Sequence, residues 1–288
     1  MELSIASTIA LNDGHAIPRL GLGVWLIAAG QNCESAVRAA LDAGYRHIDT
    51  AAFYGNEASV GKAIRASGIA REQIYVTTKL WNNAHGDPAP ALERSLGKLK
   101  MDYVDLYLIH YPVPERLRSW RVLEGLRASG KTRSIGVSNF TIRHLTELLA
   151  KTGTVPAVNQ VELHPYLYQR ELLEYCRANH IVIEAYSPLT HGERLADPKL
   201  VAIAKKYRSA GRPMTSAAAP AAGTKSAAQI LIRWGLQHDA VVLPKSANRQ
   251  RIVEDADVFD FAISADDMRT LDGFNENLRT CWDPTNAP

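Results

Sequence analysis

The chain has 288 residues, an apolar fraction of 46%, a charged fraction of 22% and a formal net charge of +3. These values are typical of a soluble globular protein with one large barrel or two smaller domains, and the mild charge argues against nucleic-acid binding. Three widely separated cysteines predict neither a disulfide framework nor a zinc site. With no signal peptide and no apolar run of about 18 residues, we expect a cytoplasmic protein without a membrane anchor.

The first predicted element is a β-hairpin at 9–20, with its turn at Asn12-Asp13-Gly14. After it, short apolar runs alternate with segments of helical periodicity, among them 33–43, 195–207 and 225–237. The runs that predict strands are residues 20–25, 47–50, 74–79, 104–110, 134–139, 157–162, 182–187 and 241–245.

This alternation predicts the fold class. Short apolar strands separated by helices indicate a parallel sheet covered by helices, and eight such units favour a single (β/α)₈ TIM barrel over residues 1–288. An open, doubly wound sheet is the alternative. The segment GLGVWL at 21–26 starts like a dinucleotide fingerprint but ends in Leu and opens no helix, so it does not support that alternative.

One segment interrupts the pattern. Residues 209–224, SAGRPMTSAAAPAAGT, are rich in Ala, Gly, Pro and Ser. This composition is typical of a flexible loop, and loops of this length are uncommon inside compact domains. We expect a tolerated insertion at the surface.

Polar residues gather at the carboxyl ends of the predicted strands, where TIM barrels place their active sites. They are Asp49, Tyr54, Lys79, His110, Ser138, Asn139, Gln160, Tyr186, Ser187, Lys245 and Ser246. Each has an ordinary explanation by itself, such as a helix cap, a packing aromatic, a solvated lysine or a core histidine. However, a lysine buried in an apolar barrel mouth needs a counter-charge, and Asp49 on the adjacent strand offers one to Lys79.

Four of these residues make chemical sense together. An unperturbed tyrosine has a pKa of about 10, and a nearby ammonium group lowers it. We therefore expect Asp49 to hold Lys79, and Lys79 to lower the pKa of Tyr54. Tyr54 would then donate a proton to a carbonyl oxygen as hydride reaches the carbon, while His110 orients the carbonyl.

Eight segments, in the same order along the chain, resemble those of the aldo-keto reductase family. They are GLGVW at 21–25, AGYRHIDTAAFYGNE at 43–57, TTKLW at 77–81, DYVDLYLIHYP at 102–112, IGVSNF at 135–140, VNQVELHP at 158–165, EAYSPL at 184–189 and LPKS at 243–246. The short stretch after His110 is similar to that of bacterial 2,5-diketo-D-gluconate reductases. The resemblance implies a monomeric, NADPH-dependent reductase of aldehydes and ketones, of the alcohol dehydrogenase (NADP+) or aldehyde reductase type.

The resemblance also implies residue roles. Asp49, Tyr54, Lys79 and His110 match the catalytic tetrad, in which Tyr54 is the proton donor. The implied cofactor residues are Gly23, Val24, Trp25, Asp49, Ser138, Asn139, Gln160, Tyr186, Ser187, Pro188, Leu189, Lys245, Ser246, Arg251, Glu254 and Asp255. The implied substrate residues are Trp25, Trp81, His110, Tyr111 and Trp282, and no metal is expected.

Within the cofactor set, the family pattern gives each group a part of NADPH. Ser138, Asn139 and Gln160 match the residues that hold the nicotinamide carboxamide, and Tyr186 matches the aromatic that stacks on the ring. The backbone at 187–189 matches the pyrophosphate site. Lys245, Ser246 and Arg251 match the group that holds the 2′-phosphate, a role that suits two cations and a hydroxyl.

Two positions depart from the family pattern. Asp255 stands where asparagine is usual and would add negative charge near the phosphate, and Tyr111 stands where tryptophan is more frequent. The resemblance also implies that the tail at 275–288 lies over the active site. A non-catalytic NADP(H)-binding or structural protein on the same barrel is the alternative function, and the physiological substrate stays open.

Overall fold

The computed structural model of the protein describes residues 3–208 and 223–288. The insertion predicted at 209–224 therefore lies outside the described residues, except for its last two positions. Thr224, one of these two, forms an isolated antiparallel bridge with Arg208. Arg208 and Thr224, on the two sides of the gap, therefore lie next to each other.

A short antiparallel hairpin comes first, as the turn residues predict. It consists of β1 (Thr8–Ala10) and β2 (Ala16–Pro18). Gly14 in the turn has a φ of +89°, a backbone conformation that glycine adopts without a steric penalty.

Eight parallel strands follow and form one sheet, in which each strand pairs with its neighbours in chain order. They are β3 (Leu22–Gly23), β4 (His47–Asp49), β5 (Tyr75–Leu80), β6 (Val104–Ile109), β7 (Thr132–Ser138), β8 (Val158–Glu162), β9 (Val182–Tyr186) and β10 (Val241–Leu243). Between them lie helices that cover the sheet from outside. The predicted (β/α)₈ barrel with an N-terminal hairpin is confirmed, and the alternative of an open, doubly wound sheet is wrong.

The barrel closes where the first strand meets the last. Leu20, just before β3, forms a parallel bridge with Val242 of β10. The backbone nitrogens of Gly21 and Gly23 donate to the carbonyls of Val242 and Pro244, each at 3.0 Å. We call this contact the seam, because it joins residues from opposite ends of the barrel sequence.

The hairpin covers the amino-terminal end of this barrel. Ile17 is buried in a cluster with Leu108 from the barrel interior and with Tyr75 and Val241, the first residues of two strands. Access to the barrel interior from this end is therefore blocked by packed side chains.

The described residues hold ten α-helices. They are α1 (Gln31–Asp42), α2 (Glu57–Ala66), α3 (Pro88–Leu99), α4 (Arg116–Ala128), α5 (Ile142–Lys151), α6 (Arg170–Ala178), α7 (Pro198–Ala204), α8 (Ala227–Gln237), α9 (Arg249–Ala256) and α10 (Ala265–Asp272). None of them is long and apolar enough to cross a membrane.

Two helices are shorter than their periodicity predicts, because caps set their first turns. Helix α7 begins at Pro198, after Asp197 accepts a hydrogen bond from the backbone of Lys199 at 2.8 Å. Helix α8 begins after a capping box in which Ser226 and Gln229 bond each other's backbone nitrogens.

The interior of the barrel changes character along its axis. Its amino-terminal end is filled by the apolar cluster around Ile17, whereas buried polar side chains occupy the interior from there toward the carboxyl end. These are His47, Asp49, Thr77, Lys79, Gln160 and Glu184. Buried polar groups must find partners, and their contacts define the site described next.

Candidate active site

Lys79 lies fully buried on β5, inside the carboxyl end of the barrel. Its Nζ donates to Asp49 Oδ1 at 2.7 Å, to Asp49 Oδ2 at 2.8 Å and to the Thr50 carbonyl at 2.9 Å. The strand register causes this meeting. Asp49 of β4 pairs with Thr77, and residues two apart in a strand face the same side. The buried ammonium thus has the counter-charge that it requires.

Tyr54 follows β4 in a short 3₁₀ turn, Ala52–Tyr54. Its hydroxyl oxygen lies 3.3 Å from Lys79 Nζ, which is also 4.9 Å from the ring centroid. The expectation that the pKa of Tyr54 is lowered overall is wrong for this site, although the Lys79 ammonium favours the phenolate. Burial raises the pKa of Tyr54 well above 10, and the charge of Asp49 raises it further. Asp49 lies closer to the ammonium and offsets its charge, so the phenol keeps its proton at neutral pH.

His110 directly follows β6 and packs among aromatic rings. It stacks on Tyr111 with centroids 4.9 Å apart, and its ring meets Tyr54 edge-on at 5.7 Å. Burial, with a contribution from the charge of Lys79, lowers the pKa of His110 well below 6.5. The imidazole is therefore neutral near pH 7, with one nitrogen able to donate a hydrogen bond and the other able to accept one.

Gln160 connects the Asp49 carboxylate to a second buried carboxyl group. Its Nε2 donates to Asp49 Oδ1 at 2.9 Å and to Glu184 Oε2 at 2.6 Å. Burial raises the pKa of Glu184 to about 8 and lowers the pKa of the neighbouring His47 to about 3. His47 Nε2 lies 3.5 Å from Glu184 Oε1, and burial disfavours the charged form of both groups. These two hydrogen bonds hold the side-chain nitrogen of Gln160 toward the buried carboxyl groups.

A cavity of about 1110 Å³ opens above these residues at the carboxyl end of the barrel. Asp49, Tyr54 and His110 line its inner part, and Lys245 and Arg251 line another part of its wall. Such a volume exceeds what one small carbonyl compound fills, and it combines apolar rings with a few polar groups, as ligand sites do.

The backbone at the edge of the cavity is held in an unusual conformation. Leu26, Asn139, Ser187 and His191 all line the cavity and have φ values of 58°, 64°, 48° and 52°. Residues other than glycine rarely adopt this left-handed region, and such strain is concentrated at binding sites.

Hydrogen bonds hold three side chains at the ends of β7 and β9, those of Ser138, Asn139 and Tyr186, in place beside Tyr54. The Tyr186 hydroxyl donates to Asn139 Oδ1 at 2.8 Å, and Asn139 Nδ2 donates to the His110 carbonyl at 3.0 Å. Ser138 Oγ donates to the Gln160 carbonyl at 2.9 Å. These bonds fix an amide and an aromatic ring at the cavity wall.

The opposite part of the cavity wall is basic. Lys245 is exposed just after β10, and Arg251 lies in the first turn of α9. Asn248 caps this helix by accepting from the backbone nitrogens of Gln250 and Arg251 at 2.9 and 3.2 Å. Two cations beside a helix N-terminus favour an anionic ligand group.

Asp255 lies near these cations, at the buried face of α9. The sequence suggests that its carboxylate adds negative charge to this part of the site. Burial, reinforced by the charge of Glu254, instead raises the pKa of Asp255 to about 8. The expectation is therefore wrong near neutral pH, where the carboxyl group is mainly protonated and uncharged.

Comparisons with known proteins agree with this architecture. A model of the Aldo/keto reductase family matches residues 19–276. The chain belongs to the aldo-keto reductase family. It is 44% identical to a glyoxal reductase of Bacillus subtilis over 99% of this chain and 98% of the relative. It is 43% identical to the methylglyoxal reductase DkgA of Yersinia pestis, over 98% of each.

Solved structures of the family show the same fold. The crystal structure of an aldo/keto reductase from Brucella melitensis matches with a TM-score of 0.84 and 44% identity, over 94% of this chain and all of the other. As an aldo-keto reductase, the protein is an oxidoreductase of carbonyl compounds, and members of this family generally use nicotinamide cofactors. The family assignment from the eight sequence segments is confirmed.

Most of the site residues that the sequence predicts line the cavity of this aldo-keto reductase. Those that line it are Gly23, Trp25, Asp49, Tyr54, His110, Tyr111, Ser138, Asn139, Gln160, Tyr186, Ser187, Pro188, Leu189, Lys245, Ser246, Arg251, Glu254, Asp255 and Trp282. Lys79 is fully buried beneath the cavity lining. Its Nζ contacts the hydroxyl group of Tyr54, which is one of the lining residues.

Two further residues of the predicted site do not themselves line this cavity. Val24 is fully buried, and its backbone nitrogen bonds the Asp49 carbonyl instead of facing the cavity. Trp81 borders a smaller cavity of about 210 Å³, but its ring contacts His110 and Tyr111 with centroids 5.2 and 5.8 Å apart, and Phe53 stacks on it at 3.9 Å. Phe53, which is 52% exposed, lies between the Trp81 ring and the main cavity and lines that cavity.

Several other residues that line the cavity were not predicted from the sequence. Besides Phe53, they include Leu26, His191, Gly192, Leu195, Asn248, Gln250 and Cys281. Most lie within three residues of a predicted site residue, so neighbourhood in the chain is the signal that could have found them. His191 and Cys281 also contact Ser187, with Ser187 Oγ 3.0 Å from His191 Nε2 and 3.5 Å from Cys281 Sγ.

Proposed function

We propose that this aldo-keto reductase uses NADPH to reduce aldehydes and ketones to alcohols, with Tyr54 as the proton donor. The observation that supports this most is the placement of a protonated phenol, Tyr54, beside the buried Lys79–Asp49 pair at the floor of a large cavity. A second feature is the pair of cations, Lys245 and Arg251, in another part of the same wall.

The residues present fit a phosphorylated nicotinamide dinucleotide. The cavity is large enough for an extended ligand and offers an amide, an aromatic ring and a basic region along its wall. Asn139, Ser138 and Gln160 would hold the carboxamide, with Gln160 presenting its carbonyl oxygen because its nitrogen is already bonded to two carboxyl groups. Tyr186 would stack on the nicotinamide ring.

The basic region would bind the phosphates. Lys245, Ser246 and Arg251 would hold the 2′-phosphate, and the backbone of Ser187, Pro188 and Leu189 would approach the pyrophosphate. Gly23 and Trp25 would contact the cofactor from β3 and its loop, and Glu254 and Asp255 would face the adenine. Two cations beside the N-terminus of α9 favour NADPH over NADH.

When bound, NADPH supplies the hydride. The protein then has to supply a proton to the carbonyl oxygen and to stabilise the charge that develops there. Neutral His110 can donate a hydrogen bond to this oxygen and so orient the carbonyl. Tyr54 gives up its phenolic proton, and Lys79, 3.3 Å away, stabilises the phenolate that forms.

The rim of the cavity suits apolar substituents on the carbonyl compound. Phe53, Trp81 and Tyr111 place their rings against that of His110, and Trp25 and Trp282 line the cavity beside them. Since relatives of this chain are named glyoxal reductase and methylglyoxal reductase, we include small 2-oxoaldehydes among the proposed substrates beside aromatic aldehydes.

We further propose that residues 1–288 act as one catalytic domain, that the protein is a cytoplasmic monomer and that the tail at 275–288 lies over the active site. The lining of the cavity by Cys281 and Trp282 supports the last point. Size-exclusion chromatography with light scattering would test the monomer, for which a mass near 31.6 kDa is expected.

The test of function is direct. The protein is mixed with NADPH and either 4-nitrobenzaldehyde or methylglyoxal, with NADH in parallel, and the loss of nicotinamide absorbance is followed. We expect turnover with NADPH and slower turnover with NADH. Tyr54→Phe keeps the ring but has no proton to give, so its kcat should fall by about a hundredfold or more. Absence of turnover in the wild type, or full activity in the variant, would refute the proposal.

A further inference from the structure

Glu162 at the end of β8 is a buried carboxylate that the proposed chemistry does not use. Its Oε1 accepts from the backbone nitrogen of Thr280 at 2.7 Å and from the Thr280 hydroxyl at 2.6 Å. Its Oε2 accepts from the backbone nitrogen of Cys281 at 3.2 Å. One carboxylate therefore binds two successive residues of a segment 118 positions further along the chain.

The environment keeps Glu162 charged. Burial works against ionisation, but hydrogen bonds from His164 and Thr280 lower the pKa of Glu162 below its ordinary value. His164 Nε2 lies 3.3 Å from Oε1, so the carboxylate is held from the barrel side as well as from the tail side. Hydrogen bonds to a charged acceptor are stronger than neutral ones, which makes this a firm attachment for a surface segment.

The next residue of the tail is Trp282, which lines the cavity but is 48% exposed. Its ring meets Tyr111 edge-on with centroids 4.9 Å apart and an interplanar angle of 85°. Tyr111 in turn stacks on His110 at 4.9 Å. The position of the indole thus depends on the backbone that Glu162 holds and on one aromatic contact at the edge of the site.

We propose that Glu162 is a positioning residue for substrate specificity, which acts by fixing Thr280 and Cys281 so that Trp282 forms a wall of the substrate cavity. This inference rests on the proposed function for its kinetic consequences, but its structural part does not. A large aromatic aldehyde reaches the wall and gains from its position. Methylglyoxal is too small to reach it and gains little.

The kinetic test uses Glu162→Gln, Trp282→Ala and the double variant, with 4-nitrobenzaldehyde and methylglyoxal as substrates. Gln has the shape of Glu but cannot accept all the tail's hydrogen bonds. We expect Glu162→Gln to raise KM for 4-nitrobenzaldehyde about tenfold, to change KM for methylglyoxal less than about twofold and to leave kcat nearly unchanged. In the Trp282→Ala background, Glu162→Gln should add less than about a twofold change, because its effect passes through Trp282.

A matched control comes from the same tail. Glu276 forms an exposed ion pair with Arg194, away from the cavity lining. Glu276→Gln makes the same chemical change at a surface pair, which contributes little, and should leave both KM values within about twofold. Thr280→Val changes the tail side of the same contact, because it removes the hydroxyl bond to Glu162, one of the three bonds from the tail. It should raise KM for the aromatic aldehyde about threefold.

A spectroscopic measurement keeps the inference separate from catalysis. The protein has five tryptophans, and labelling with 5-fluorotryptophan gives each a ¹⁹F signal, with that of Trp282 assigned by its loss in Trp282→Ala. In Glu162→Gln and in Thr280→Val we expect the Trp282 signal alone to shift or broaden. This result supports the structural part even if the wild type proves inactive, which would refute only the proposed function.

Three results would overturn the inference. One is a Trp282 signal that both variants leave unchanged. Another is equal KM increases for both aldehydes. The third is the same KM increase from Glu162→Gln with and without Trp282. If Glu162→Gln fails to fold, Thr280→Val decides the matter through the same two measurements.

Discussion

At the scale of single residues, the site depends on charges that the barrel buries and must pair. Lys79 has no exposed surface and keeps Asp49, the Thr50 carbonyl and Tyr54 within hydrogen-bonding distance. The sequence identifies these residues, since an apolar strand ending in lysine needs a counter-charge. It does not predict the pKa of Tyr54, because the sequence gives the types of its neighbours but not their distances or the depth of burial.

Replacing Lys79 by Met should affect stability and activity in separable ways. Removing the ammonium leaves the Asp49 carboxylate buried without its partner, so we expect the free energy of unfolding to fall by about 3–5 kcal/mol. The double variant Lys79→Met/Asp49→Asn removes both charges and should regain most of this loss while staying inactive. Urea denaturation and aldehyde turnover measure the two effects. An active double variant would contradict the role proposed for Lys79.

Glu184 should make stability depend on pH. Burial raises its pKa from 4.5 to about 8 in the folded protein, so unfolding releases a proton between these values. The associated stability is complete below pH 4.5 and is lost as pH rises through 8, by at most about 1.4 kcal/mol per pH unit.

The matched variant is Glu184→Gln, which keeps an acceptor for Gln160 but cannot ionise. Its free energy of unfolding should rise relative to that of the wild type between pH 5.5 and pH 8. Urea titrations at both pH values measure the difference. Parallel profiles for the two proteins would show that the carboxyl group is already ionised in the fold.

At the scale of elements, strand alternation and turn residues were sufficient to predict the hairpin and all eight barrel strands. Helix α7 was predicted at 195–207 but is Pro198–Ala204, because the Asp197-Pro198 cap sets its start more strongly than apolar periodicity does. The stacking of Phe53 on Trp81 was not predicted, because it is a contact between loops that follow different strands. The Glu162–Thr280 bonds join residues 118 positions apart, a separation over which local patterns contain no information.

Helix α9 supports a prediction about cofactor binding. Burial raises the pKa of Asp255 to about 8, so its charge develops only as pH rises through that value. In the wild type, NADPH should therefore bind more weakly at pH 9 than at pH 6.5, because the new carboxylate lies near the cations proposed for the phosphate. Asp255→Asn should remove most of this weakening, which we expect to be about threefold to tenfold.

Fluorescence titration with NADPH and NADH at both pH values measures this effect. NADH lacks the 2′-phosphate and serves as the internal control, since its affinity should respond less to the charge at position 255. An identical pH dependence in Asp255→Asn and the wild type would argue against any influence of this carboxyl group on the phosphate.

At the scale of the whole molecule, the fold depends on the seam between β3 and β10. A methyl group on Gly21 would lie 2.7 Å from His47 Nδ1 and 2.7 Å from a methyl carbon of Leu243, closer than side chains approach. Gly21→Ala should therefore disturb closure and lower the free energy of unfolding by about 1–3 kcal/mol.

The control for this prediction is Gly97→Ala in α3. A methyl group there has no neighbouring atom within 4 Å, and alanine favours the helix, so stability should rise by up to about 1 kcal/mol. Thermal or urea unfolding of both variants gives the comparison. A Gly21→Ala protein as stable as the wild type would mean that the seam adapts more easily than its packing suggests.

The seam also has a consequence for the order in which the protein assembles. It joins residues more than 200 positions apart, and such non-local pairings form late because the intervening chain must first be ordered. Gly23 and Lys245 lie on opposite sides of the seam, and both line the cavity. In a refolding experiment, helical circular dichroism should therefore return before the ability to bind nucleotide, which becomes a kinetic marker of the finished barrel.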